Sequence, residues 1–221
     1  MSRLLTSGVL GRKKADVWLY KGEVWEYEEV TSPHTGRVWM DRNLGASRVA
    51  QSFTDTLAFG DCFQWGRLDD LHQNTDSLTI STLSSEDVPD NDGKFILTSA
   101  SPHDWRDPKN DNLWQSDTRL NLPAPAGWRI PTMSEWLAEA DAMDTSITDL
   151  RERFGQSFLK LTPPGRRNYT TGNLEFSGSG YYWANNVSDN NANRFTYSSS
   201  NYFTGTDQRA RGCSVRLIKE I

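Results

Sequence analysis

Polar and apolar positions alternate at a period of two through Trp25-Glu26-Tyr27-Glu28, inside a segment from Asp16 to Val30 that interleaves aromatic and charged residues. That alternation marks a half-buried strand, and Lys21-Gly22 predicts a turn between two short strands. The period changes at Thr132. Thr132 and Glu135 form a capping-box pattern, and Trp136, Leu137, Ala140 and Met143 recur on one helical face, predicting an amphipathic helix. A second helix is predicted over residues 145–154, with Ile147, Leu150 and Phe154 on its apolar side and Gly155 placed to end it in a left-handed conformation. Pro163-Pro164-Gly165 forbids any continuation. Beyond Asn173 the pattern predicts short strands at Gly180-Tyr181-Tyr182-Trp183 and Arg194-Phe195-Thr196-Tyr197, then a closing strand over Ser214-Val215-Arg216-Leu217-Ile218. Residues 74–125 are rich in Asp, Asn, Ser, Pro and Gly, with Lys94-Phe95-Ile96-Leu97 as a strand candidate and isolated Trp105 and Trp114 favouring order. Strands and helices that do not alternate regularly predict an α+β domain rather than a doubly wound sheet.

Composition bounds the function. A chain of 221 residues suits one core, and nine Trp, nine Phe and seven Tyr offset a hydrophobic content of 36% by supplying large buried areas. The net charge is -5 and the longest basic run is Arg12-Lys13-Lys14, so a nucleic-acid partner is not expected. No stretch approaches the roughly 20 apolar residues of a membrane span, and no signal peptide is evident, so membrane insertion is not expected. Residues 1–14 lack a long apolar pattern and read as an extended arm, which divides the chain into an N-terminal arm with short strands (1–30) and a binding domain (31–221). Cys62 and Cys213 exclude a CxxC zinc site and leave two outcomes open, one disulfide or two buried thiols.

Several segments taken in order resemble one family. They are Val38-Trp39-Met40-Asp41-Arg42-Asn43-Leu44-Gly45-Ala46-Ser47, Phe59-Gly60-Asp61-Cys62-Phe63-Gln64-Trp65-Gly66-Arg67, His103-Asp104-Trp105-Arg106, Leu113-Trp114-Gln115, Gly127-Trp128-Arg129-Ile130-Pro131-Thr132 running to Glu135-Trp136, Pro164-Gly165-Arg166-Arg167, Gly180-Tyr181-Tyr182-Trp183 and Gly212-Cys213-Ser214-Val215-Arg216. Together they resemble the Fibrobacter succinogenes major paralogous domain family, which also occurs in phage tail and receptor-binding proteins and in retroelement-diversified variable proteins. The resemblance implies a C-type-lectin-like or sulfatase-modifying-factor fold, in which a small twisted antiparallel sheet and two helices support extensive loops. Two departures stand out. Leu122-Pro123-Ala124-Pro125-Ala126 lacks a cysteine that many relatives place there, and Leu71 precedes His72 where the family pattern usually has glycine.

Catalytic chemistry is not expected. His34, His72 and His103 show no metal-ligand spacing, and no nucleophile elbow, phosphate-binding glycine loop or HExxH pattern occurs. Arg42, Arg67, Arg129 and Arg216 are expected to pair with Asp41, Asp61 or Glu135 as architecture. Asn185, Asn186, Asp189 and Asn190 offer hard oxygen ligands for calcium, although such residues are equally expected in turns. The segment 185–208 has the Asn, Ser and Tyr composition of a paratope, so Asn185, Asn186, Ser188, Asn190, Asn193, Tyr197, Asn201, Tyr202 and Phe203 are the expected ligand-binding residues. In relatives encoded beside diversity-generating retroelements, the corresponding region is the hypervariable ligand surface. The resulting expectation is a non-enzymatic virion protein, a tail-tip, tail-fibre or receptor-binding adhesin acting outside the cell. Its arm would join other virion proteins, its domain a host-surface glycan or protein, in a homo-oligomer such as a trimer. A bacterial surface or secreted protein of the same fold and a ligand-free decoration protein are the alternatives.

Overall fold

The structure, a computed structural model, describes residues 16–115, 117–143 and 145–221. Strands β1 (Asp16–Tyr20) and β2 (Glu23–Tyr27) form an antiparallel hairpin whose two-residue turn is Lys21-Gly22, with φ of 53° and 79°. Those positive angles match the right-handed twist of the flanking strands. Next come β3 (Glu29–Thr31), β4 (Val38–Met40), β5 (Phe63–Gln64), β6 (Thr79–Ile80), β7 (Phe95–Ile96) and β8 (Trp128–Arg129), followed by helices α1 (Met133–Asp141) and α2 (Leu150–Gln156). The remainder is β9 (Arg166–Arg167), β10 (Leu174–Glu175), the longer β11 (Gly180–Ser188), β12 (Asn191–Tyr197) and β13 (Tyr202–Gln208), then β14 (Gly212–Cys213) and β15 (Ile218–Lys219). The fold is mixed α and β with two helices, as expected, and strands outweigh the helices. One sheet in the order β3-β4-β15-β8 inserts the last strand between strands from the start and middle of the chain, and a second runs β10-β9-β14-β5. The long strands make an antiparallel meander, β11-β12-β13, while β6 and β7 pair in parallel.

The meander separates two apolar clusters. Trp183 and Ala192 enter one, with Phe63, Trp65, Trp105, Trp114 and Trp128, whereas Tyr182, Phe195 and Tyr197 enter the other, with Trp39, Trp136 and Phe154. Trp136 of α1 stacks on Phe195 with centroids 5.2 Å apart, and Phe154 of α2 lies 4.5 Å from Tyr197. Truncating a buried aromatic of this kind to alanine costs about 3–5 kcal/mol. The β1–β2 hairpin belongs to the same packed body: the Tyr20 hydroxyl donates to Asp61 at 2.6 Å, and Tyr27 meets Trp128 edge-on at 5.4 Å. The expected arm over residues 1–14 lies outside the described residues.

Short strands leave many interior carbonyls without a ladder partner, and tryptophan and arginine side chains supply the donors. The indole N–H of Trp105 donates to Trp65 O at 2.7 Å, Trp65 to Ala184 O at 3.0 Å, Trp183 to Phe63 O at 2.7 Å and Trp114 to Asn121 O at 2.8 Å. Arg167 holds the carbonyls of Gly172, Asn74 and Ser77 while lying over the Phe95 ring. The described residues of this region are therefore held in place, with Trp105 and Trp114 fully buried.

Several expectations change. α1 carries its capping box, but Met143 lies past its end and Glu139 is buried on its inner side, accepting from Ser32, Thr35 and Trp39. α2 begins at Leu150 behind the Asp149 cap and runs through Gly155 to Gln156. Gly155 is required for close approach, since a Cβ there would stand 2.8 Å from that of Phe53. The closing strand is two pieces in two sheets. Between them Ser214 bridges to Tyr182 and the Arg216 guanidinium turns into the core, donating to Asn43 Oδ1, Met40 O and Leu159 O. Arg42 pairs with Asp41 and Arg129 with Glu135 as expected, but Arg67 pairs with Asp70, Arg216 bonds neutral acceptors, and Asp61 takes Tyr20 and Lys21. Desolvation accordingly lowers the Arg216 pKa to about 10. Both cysteines are buried thiols, and burial pushes Cys62 up to about 12. His72 is buried, accepts from the Gln64 amide, and is pushed down to about 4 by burial, so it stays neutral.

Leu71 adopts a φ of 81°, the left-handed conformation a glycine would take without strain, and its side chain is 47% exposed. Leu71→Gly is therefore expected to stabilise the protein by about 0.5–1 kcal/mol, the relieved strain exceeding the added chain entropy of glycine. Urea unfolding checks this. A lower midpoint would show that the Leu71 side chain stabilises more by packing beside Gly93 than its backbone costs.

Candidate functional site

Side chains alternate between the two faces of the meander, and its register sorts them. Tyr181, Thr196 and Phe203 line up across the three strands on one face, as do Trp183, Arg194 and Gly205. The opposite face carries Tyr182, Phe195 and Tyr197 beneath the helices. On the first face, Trp183 and Ala192 are covered by core, but towards Phe203 the covering stops. Phe203 is 47% exposed there, and charged side chains gather on the same face.

Asp207 of β13 is the centre of that gathering. Its carboxylate, only 6% exposed, accepts from Arg194 Nε at 2.9 Å, Arg211 Nε at 2.7 Å and Arg166 Nη1 at 3.2 Å. Glu175 of β10 accepts from Arg166 Nε at 2.9 Å, Arg211 Nη1 at 3.1 Å and Asn168 at 2.6 Å. Burial pushes the Glu175 carboxyl up, but the Asn168 and Arg166 hydrogen bonds outweigh it and hold its pKa below the usual value. The Tyr181 ring lies between two guanidiniums, 4.7 Å from that of Arg166 and 5.0 Å from that of Arg194. Arg194 also bonds Thr196 and passes over Gly205, whose missing Cβ would sit 3.7 Å from the guanidinium carbon. Three cations thus face two carboxylates, a formal excess of one positive charge on a chain of charge -5. Among the described residues the Nη2 atoms of Arg166, Arg194 and Arg211 have no protein acceptor, and they are not sealed from solvent.

The expected ligand-binding residues disperse over this architecture. Within the segment 185–208, pairing extends beyond the expected strand at Arg194–Tyr197, so most of it lies in β11, β12 and β13 rather than in polar loops. Tyr197 is fully buried against Phe154 and Tyr182, so it is core; Gly180 opposite makes room, since a Cβ there would lie 2.3 Å from the Tyr197 ring. Asn185 is buried in the bulge of β11, where its carbonyl accepts from Gln115, and Asn186 Oδ1 accepts from the Met133 amide at the start of α1. Neither faces a ligand surface. Asn193 is half-buried on the helix-side face of β12, Ser188 and Asn190 flank Asp189 at the hairpin tip, and Asn201 is exposed in the β12–β13 turn. Tyr202 is half-buried and donates to Asp141 of α1 at 2.7 Å, leaving Phe203 as the predicted residue on the charged face. The residues that complete the patch, Arg166, Glu175, Tyr181, Arg194, Asp207 and Arg211, were not among the expected ligand-binding residues. For the calcium candidates, Asn186 has its side-chain oxygen committed to α1, and no group of three His, Cys, Asp or Glu suited to a metal occurs among the described residues.

Compared with known proteins, the chain matches no family model, no curated protein and no solved structure. The family resemblance rests on the quoted motifs alone.

Removing the charge at Asp207 leaves the three guanidiniums around a neutral amide. Asp207→Asn is expected to lower stability by about 3 kcal/mol, the scale for breaking a buried ion pair. Phe203→Ala, at an exposed edge position, is expected to stay within about 0.5 kcal/mol of the unmodified protein. Thermal and urea unfolding of both variants check the contrast, and an unchanged Asp207→Asn midpoint would mean that the clamp does not order this face.

Proposed function

We propose that the chain is a non-enzymatic recognition protein of C-type-lectin-like fold, carried on a phage particle and meeting the host surface with the arginine-aromatic face of its meander. The fold reading is supported by β15 lying between β4 and β8, which closes the domain's two ends on one another, and by two helices packed on the far face of the meander. The phage reading is supported by the motif resemblance. Recognition rather than catalysis is favoured by the patch itself: both carboxylates are locked by guanidiniums, and the pKa of Glu175 is held below its usual value, which does not suit it to proton transfer at neutral pH. The observation that carries the proposal is the uncovered end of the meander face. There Phe203 and the ring of Tyr181 flank Arg194, the mix of rigid aromatics and charged donors that dominates binding hot spots.

The labelled protein, incubated with a panel of intact bacteria, is expected to bind the surface of some strains, and Phe203→Ala to weaken that binding at least about tenfold, or roughly 1.4 kcal/mol. Absence of binding across the panel, or binding indifferent to Phe203→Ala, would contradict the proposed surface. Mass spectrometry of particles from a phage encoding the chain tests the location; its absence from particles would favour a bacterial surface protein.

A further inference from the structure

Resting on that recognition reading, we infer that the meander face is selective for an anionic saccharide, a sugar ring bearing a carboxylate or sulfate group.

The charge arithmetic is the first ground. Asp207 and Glu175 orient Arg166, Arg194 and Arg211 through Nε and Nη1 and leave one positive charge uncompensated. The second ground is geometric. The Nη2 of each guanidinium has no acceptor among the described residues while its other nitrogens are held, so an oxyanion that reaches it meets a donor whose orientation is already settled. Arg166 is the most accessible of the three, with a side chain 25% exposed against 11% for Arg194 and 9% for Arg211. The third ground is the apolar flank. Phe203 stands on the same face, one strand beyond Thr196 and two beyond Tyr181, which offers a ring for the C–H face of a sugar about 10 Å across the sheet from the tyrosine that Arg166 and Arg194 flank. A neutral sugar would use the ring and leave the charge unanswered. A free inorganic anion would use the charge and leave the ring exposed.

Titration calorimetry with glucuronic acid, a 6-sulfated N-acetylglucosamine, and neutral glucose and N-acetylglucosamine tests this on the full chain, beside the whole-cell assay. Both acidic sugars are expected to bind at least about tenfold more tightly than their neutral counterparts, and to weaken as salt rises from 50 to 500 mM on the order of a Debye-screened contact. Preference between them tells carboxylate from sulfate, either of which supports the inference. Arg166→Gln is expected to remove the preference while keeping the Trp-dominated near-ultraviolet dichroism; should it not fold, the salt dependence and the acidic-to-neutral ratio of the unmodified protein decide alone. Equal affinity for acidic and neutral sugars, or an undiminished preference in a folded Arg166→Gln protein, would overturn it. Cell binding without any response to acidic sugars would overturn the anion selectivity and leave host recognition standing. Loss of both would overturn the two together.

Discussion

Every backbone carbonyl buried in an irregular segment needs a donor, and this protein answers that constraint with side chains. Six of its strands are two-residue pieces from β5 to β10, too short to satisfy the long connections around them. The indoles of Trp65, Trp105, Trp114 and Trp183 and the guanidiniums of Arg167 and Arg216 reach those carbonyls instead. The same residues fill the interior, so each one joins apolar burial to polar satisfaction. That dual use lets a chain of modest hydrophobic content hold the polar connections around Trp105 and Trp114 in place.

The candidate site follows from this arrangement. Trp183 anchors β11 to Phe63, and the Trp65 indole holds Ala184, so the meander is fixed at the end where its face enters the core. The other end projects beyond the tryptophans. On the same face Arg194 and Asp207 lie in register with Trp183 and Ala192, neighbouring β9 and β10 contribute Arg166 and Glu175, and one row further along Phe203 is exposed. A charged network at the margin of an aromatic core is rigid because its anchoring strand is rigid, and a rigid set of donors loses little entropy on meeting a ligand.

Legibility in the sequence tracked the range of each interaction. The Lys21-Gly22 turn and the Thr132–Glu135 cap are encoded within four residues and appear where expected. Gly155 was misjudged because a helix-ending glycine and a close-packing glycine look alike until Phe53 is placed against it. Two meander strands were expected at Gly180–Trp183 and Arg194–Tyr197, but their full lengths and β13 were hidden by composition, because Asn, Ser and Thr suggested loops between and beyond them. The charge cluster was beyond reach: Asp207 and Arg211 are four residues apart, but they meet Arg166, Glu175 and Arg194 through the pairing of β9 with β10 and β14 and of β12 with β13, and nothing local marks those pairings.

The side-chain donors are the part of this account most open to direct measurement. Hydrogen exchange of the indole N–H protons, followed by NMR, reports how often each indole leaves its carbonyl. The indole protons of Trp65, Trp105, Trp114 and Trp183 should exchange only with global unfolding, at the same free energy as the slowest amides of β12. Rapid exchange of those four while the β12 amides stay protected would contradict the claim that tryptophan donors hold the loops in place.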